Sequence, residues 1–177
     1  MAQRRILDSV RRFEGKILSV RVDQVEMEDG SYAPREVVEH APSVCVLPVD
    51  GDGNVYLVRQ YRHPFGCELL EAPAGVMEGD ESPEAAARRE LREETGAVGT
   101  LISLGEFLPT PGYCNERMFL FLARVERFGE TDPDEDEFLQ TVTMPFSEFF
   151  RRAVNGDLRD GRLLALALRA APLLKNE

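Results

Sequence analysis

The chain has 177 residues, 43% hydrophobic and 30% charged, with a formal net charge of -11 at pH 7. That length suits one principal domain with its own core and a small appendage, and no apolar run approaches the roughly 18 residues a membrane helix needs. The acidic balance argues against nucleic acid, which is bound through clustered Lys and Arg, but a phosphate ligand stays accessible if cations stand between it and the carboxylates.

The N-terminal MAQRRILDSVRRFEGK carries basic residues with no apolar segment behind them, so no secretion signal is expected and the expected compartment is the cytoplasm. Residues 17–40 contain alternating stretches broken by Asp29-Gly30, a turn pair that predicts a hairpin or small sheet. Residues 1–40 are therefore read as an N-terminal β segment, and 41–177 as the main domain. SVCVLPV from Ser43 and VYLVRQY from Val55 flank the turn Asp50-Gly51-Asp52-Gly53-Asn54, predicting two strands. Residues 68–74 read as extended and 75–81 as loop. Ser82 can cap free backbone N–H groups, Pro83 is pre-set for a first helical position, and Gly96 suits a helix end. The good helix formers between them predict a helix over 83–95. Strands are expected at 101–108, 117–125 and 138–144, and helices at 147–154, stopped near Asn155-Gly156, and 162–170. The class is α/β or α+β, a mixed central sheet covered by helices. Cys45, Cys67 and Cys114 are odd in number and widely spaced, which predicts reduced, mostly buried thiols.

The helix over 83–95 carries the strongest chemical signal. With about 100° per residue, Glu90, Glu93 and Glu94 share an arc of roughly 100°. Glu90 and Glu94 are like charges at i,i+4, a local defect unless a cation compensates it. Mg²⁺ prefers oxygen ligands and is typically held by one or two carboxylates together with substrate phosphates. Ala87 and Leu91 flank the ridge and can pack on the sheet. Arg89 can bridge to Glu93 or reach back to Glu81, steadying the site. In isolation EAAARRELREE reads as a solvated surface helix; its surroundings decide otherwise.

From Gly75 the chain gives five residues, Glu81, seven residues, Arg89-Glu90, Leu91, one residue, Glu93-Glu94, one residue, Gly96 and Ala97. This resembles the Nudix box at every fixed position. The resemblance implies a Nudix-type α/β/α sandwich that uses two or more divalent ions per site, Mg²⁺ or alternatively Mn²⁺, to hydrolyse a diphosphate. By position, Glu90, Glu94 and the backbone carbonyl of Ala74 would hold metal, with Glu93 a neighbouring ligand or catalytic partner.

Outside the box, REVVEH at 35–40, VRQYR at 58–62, ELLEAPAG at 68–75, PTPGYCNERMFLFLA at 109–123 and DEDEF at 134–138 resemble the ADP-ribose pyrophosphatase branch. That resemblance implies hydrolysis of ADP-ribose to AMP and ribose 5-phosphate. Residues 130–137 hold six acids in eight positions, ordinarily a solvated loop. In similar enzymes a late acidic loop completes the site, which makes Glu135 the candidate general base and Glu137 an extra metal ligand. Arg62 and Arg35 are candidates for phosphate contact through a guanidinium fork. The resemblance further points Glu116 to the ribose region and Glu36 to the base. Tyr32, Tyr61 and Tyr113 are stacking candidates, with core packing the commoner alternative. The branch also implies a homodimer completed by N-terminal strands. Its common ELPAG and SPGF stand here as Glu71-Ala72-Pro73-Ala74-Gly75 and Thr110-Pro111-Gly112-Tyr113, leaving another substrate, such as GDP-mannose, as the alternative. A non-catalytic nucleotide-sensing domain is the alternative of another class, expected to lose one of the three helix glutamates.

Overall fold

In the computed structural model, which describes residues 5–132 and 139–174, ten strands and three α-helices are formed. Backbone contacts divide the chain into two units, Met1–Pro42 with Leu108–Arg117, and Ser43–Phe107 with Met118–Glu177.

In the first unit, β1 (Ile6–Glu14), β2 (Leu18–Glu26) and β3 (Tyr32–His40) form an antiparallel sheet in that order. The Asp29-Gly30 turn works as its composition suggests. Ser31 N and Oγ both donate to Asp29 Oδ1, at 2.9 and 2.6 Å, and Gly30 takes a φ of 80°. β1 was not legible among the N-terminal basic residues. All nine of its residues are exposed, so no burial pattern betrays it. Within this unit Val38 N donates to Tyr113 O and Asn115 N to Val38 O, at 2.8 and 3.1 Å, which attaches residues 108–117 to β3.

The second unit is built on a seven-stranded mixed sheet. β4 (Ser43–Val49) and β9 (Met118–Phe128) are its parallel pair; β5 (Asn54–Arg62), β8 (Ala97–Phe107) and β10 (Gln140–Pro145) complete the order β10-β5-β4-β9-β8. β6 (Cys67–Glu71) pairs with β5, and the short β7 (Ala74–Val76) with β4. The expected extended stretch over 68–74 is thus two strands, separated at Pro73, which has no N–H to donate to a ladder.

Every residue of β4 is buried, as a strand covered on both faces requires. Its alternation sorts side chains between two cores. Val44 and Val46 join Phe121 and Ala123 under Ala86, Ala87 and Leu91 of α1 (Pro83–Thr95). Cys45, Leu47 and Val49 join Leu120 and Leu122 under Phe149 of α2 (Phe146–Val154) and Leu163 and Leu166 of α3 (Gly161–Leu174). The result is the expected α/β/α sandwich. The thiols are all free, but only Cys45 is buried; Cys67 and Cys114 are intermediate. Among the described residues no helix is long and apolar enough to cross a membrane.

Candidate active site

The caps of α1 form as the sequence indicates. Ser82 Oγ accepts from Ala85 N at 3.2 Å, and Gly96, at φ 69°, donates its N–H to Arg92 O. The apolar face of α1 packs on the sheet and takes two acids down with it. Glu90 and Glu94 are only 8% and 5% exposed, whereas the Glu93 side chain keeps 23%. Burying carboxylates this far is costly without cationic or hydrogen-bonding partners.

Two features of the β7 segment accommodate them. Ala74 N donates to Glu94 Oε1 at 3.4 Å. A Cβ placed on Gly75 would overlap the whole Glu90 carboxylate, so the glycine at the head of the motif makes room for that group. The other support is Arg89. Its Nε and Nη2 fork onto the two Glu81 oxygens at 3.1 Å each, and Nη2 also donates to Val76 O at 3.0 Å. Nη1 donates to Glu90 at 2.7 Å and Glu93 at 3.1 Å. Hydrogen bonding to Glu81 raises the Arg89 pKa above its ordinary value, against the opposing effect of burial. The same pairing, helped by Glu78 N, holds the Glu81 carboxyl below the usual range.

Four carboxylates thus face two guanidiniums, since Arg92 also reaches Glu93, at 3.3 Å. The excess negative charge, the hard oxygen donors and the glycine-lined recess fit a divalent cation. Among the described residues no group of three or more His, Cys, Asp or Glu side chains is arranged to hold a metal. Further oxygens would come from the Ala74 backbone, the substrate or the acidic stretch. Glu135 and Glu137 lie outside the described residues. The part of that stretch that is described stays beside the helix: Gly129 N donates to Gly96 O at 2.7 Å and Asp132 N to Glu93 O at 2.9 Å.

Arg62 is more engaged than the sequence suggests. Its Nε donates to Glu71 Oε1 at 2.8 Å, and its Nη2 to Glu71 Oε2. Glu71, 2% exposed, also accepts from Arg162 Nη2, and Asp160 braces Arg162 in turn. Burial would raise the Glu71 carboxyl; the two guanidiniums outweigh it and hold it below its ordinary value. Nearby, burial pushes the Cys45 thiol up to about 12. Sequence reading passed over Glu71, Asp160 and Arg162. An acid inside the otherwise apolar run LLEA was the available signal for the first; nothing local marks Arg162.

In the first unit, Arg35 is exposed and donates to Pro34 O at 2.9 Å and Met27 Sδ at 3.4 Å. Glu36 is also exposed, and as the next residue on β3 it points to the opposite sheet face. Glu116 Oε1 lies 3.9 Å from His40 Nδ1, and His40 N donates to Asn115 Oδ1 at 2.9 Å. Tyr32, Tyr61 and Tyr113 are each 58–59% exposed, so none is a core residue.

A sandwich in which a capped helix buries two carboxylates suited to a divalent cation against a glycine-opened strand end marks this as an α/β/α-sandwich domain of one particular family. Comparison with known proteins shows which one. Residues 39–166 match the NUDIX domain family, and residues 5–38 match the nucleoside diphosphate sugar hydrolase N-terminal domain. The chain belongs to the Nudix family and is a Nudix hydrolase. It is 33% identical over 153 residues to ADP-ribose pyrophosphatase of Bacillus subtilis (strain 168), covering 85% of this chain and 83% of that protein. It is 36% identical over 143 residues to GDP-mannose pyrophosphatase of Pectobacterium atrosepticum, covering 75% and 74%. A crystal structure titled ADP compounds hydrolase superposes with a TM-score of 0.86 at 22% identity, covering 99% of this chain and 96% of that one. At that identity the likeness concerns the fold.

Proposed function

We propose that this enzyme hydrolyses the diphosphate bond of ADP-ribose, giving AMP and ribose 5-phosphate, with Mg²⁺ as the working cation and Mn²⁺ as a substitute. The observation that carries the reading is the burial of Glu90 and Glu94 around Gly75, on the helix of a chain similar to an ADP-ribose pyrophosphatase over 85% of its length. Glu90, Glu94 and the Ala74 carbonyl would hold the metal, with Glu137 as a further ligand. Bound divalent cations neutralise a diphosphate, orient it and make a coordinated water more acidic.

The chain's own groups do the rest. Glu135 takes the proton of the attacking water as its oxygen bonds to one phosphorus and the bond from that phosphorus to the bridging oxygen breaks, the bridging oxygen leaving with the other phosphate. Glu93, held by Arg89 and Arg92, keeps the helix carboxylates in register. Arg62 contacts the diphosphate with the part of its guanidinium that Glu71 leaves available. Arg35, Glu36 and Glu116 contact the ribose and base. Arg35 and Glu36 point to opposite faces of one strand, so a single ligand touches both most simply if a second copy supplies one of them. This supports a homodimer in which the N-terminal strands of each copy complete the other's site. GDP-mannose is the alternative substrate, favoured by the similarity to a GDP-mannose pyrophosphatase.

The test is incubation with Mg²⁺ or Mn²⁺ and a panel of ADP-ribose, GDP-mannose, other nucleotide sugars and triphosphates, with products identified. AMP and ribose 5-phosphate from ADP-ribose as the fastest reaction is the expected result. Faster release of GMP and mannose 1-phosphate from GDP-mannose selects the alternative, and no cleavage with any metal defeats both.

A further inference from the structure

One short segment, Glu71-Ala72-Pro73-Ala74-Gly75, backs three parts of the site at once. Gly75 leaves room for Glu90, Ala74 N meets Glu94, and Glu71 receives Arg62. At its first residue the segment is fastened from the other side of the sheet. Arg162, in the first turn of α3, donates through Nη2 to Glu71 Oε2. It is itself oriented by Asp160, whose carboxylate takes Arg162 Nε at 2.8 and 3.0 Å and Arg162 N at 2.9 Å.

α3 is a firm anchor, since Leu163, Leu166 and Ala167, just beyond Arg162, are all fully buried. The Arg62 side chain, at the other end of the chain of contacts, is 35% exposed. It also lies within electrostatic reach of Glu94, whose charge favours the Arg62 guanidinium. Four charged groups therefore run from the first turn of α3 to Arg62, which is the most exposed of them, at 35% against 19% for Arg162.

We infer that Arg162 is a positioning residue for substrate: through Glu71 it holds Arg62 in the orientation that receives the diphosphate. The inference rests on the reading of Arg62 as a phosphate contact in the proposed reaction. An arginine already held in place loses less side-chain freedom when it binds an anion, so the device acts on substrate affinity. It does not act on the metal or the attacking water. With Arg162 gone, Glu71 keeps one guanidinium instead of two, and Arg62 is free to turn into the vacated contact and away from the ligand.

The test is a double-mutant cycle on the diphosphate sugar that the wild-type enzyme cleaves fastest. Arg162→Gln is expected to raise KM about tenfold with kcat within about threefold and the Mg²⁺ activation curve unchanged. Arg162→Lys restores part of the loss. Arg62→Gln raises KM at least as much, and adding Arg162→Gln to it has no further effect, the signature of two residues acting as one unit. A purely structural Arg162 would instead lower melting temperature and active fraction while leaving KM unmoved. An unchanged KM in Arg162→Gln, or KM effects that multiply in the double variant, overturns the inference. If Arg162→Gln does not fold, Arg162→Lys is carried through the same cycle and the same criteria decide. A wild-type enzyme that cleaves no diphosphate sugar overturns the proposed function, and this inference with it; cleavage by the wild type with multiplying effects overturns this inference alone.

Discussion

The Glu90 carboxylate occupies the space that a Cβ on Gly75 would fill. The first residue of the sequence motif and a central acid of its helix are thus one steric unit, which explains a glycine where no positive φ demands one. Gly75→Ala is expected to displace the carboxylate and cut metal-dependent turnover by about 100-fold, with stability falling by about 1–3 kcal/mol through overpacking. Rates across a Mg²⁺ titration, beside a denaturant melt, check both. Wild-type rates would show that the Glu90 position is unimportant to activity.

Arg89 is the cation shared by Glu81, Glu90 and Glu93. Removing it takes a shared guanidinium from three acids, two of them on the crowded helix face, so Arg89→Ala should cost about 3–5 kcal/mol without metal. A bound divalent cation stabilises only the folded state, and it takes over part of the missing charge. The loss should therefore shrink in saturating Mg²⁺ or Mn²⁺. Thermal melts of both proteins with EDTA and with metal measure this, and an equal loss in both conditions would separate Arg89 from the metal site.

Two glutamate substitutions separate metal binding from proton transfer. Glu94→Gln should remove metal-dependent turnover by at least about 1,000-fold and weaken Mn²⁺ binding measured by calorimetry. Glu135→Gln should lower kcat by about 100-fold or more, the scale of general base catalysis, while Mn²⁺ binding stays intact. Near-normal turnover in either variant removes that residue from its assigned role.

Asp50 provides a pH test away from the site. Burial would raise its carboxyl, but Asn54 N at 2.8 Å, the Tyr56 hydroxyl at 2.8 Å and Asp52 N at 2.9 Å outweigh it and hold the pKa below the ordinary value. A carboxyl whose folded pKa is depressed contributes stability above its unfolded pKa and loses it as pH falls through the folded one. Asp50→Asn should therefore cost about 1–2 kcal/mol at pH 7. The gap to wild type should narrow steadily as urea melts are taken below about pH 4. A gap independent of pH would show that Asp50 acts by shape alone.

What the sequence determines by itself is local. Ser82, Pro83 and Gly96 bound α1 at the expected residues because capping involves groups only a few positions apart. Asp29-Gly30 and the turn at 50–54 set their hairpins for the same reason. The acidic ridge is a consequence of helical spacing. The exposed strand β1 escaped because its pairing partner is β2 and it has no buried face to imprint a pattern.

Tertiary structure alone decided how the acids are used. Glu90, Glu93 and Glu94 share one arc of the helical wheel, yet only packing against β4 and β7 sets how deeply each is buried, covering the first and last and leaving Glu93 partly exposed. Glu71 and Arg162 are 91 residues apart, brought together where α3 packs on the sheet that contains β6, and no spacing rule could join them. The acidic helix of this Nudix hydrolase is written in adjacent residues because a helix is closed by its own hydrogen bonds. The ion pairs that back it depend on which distant strands and helices meet.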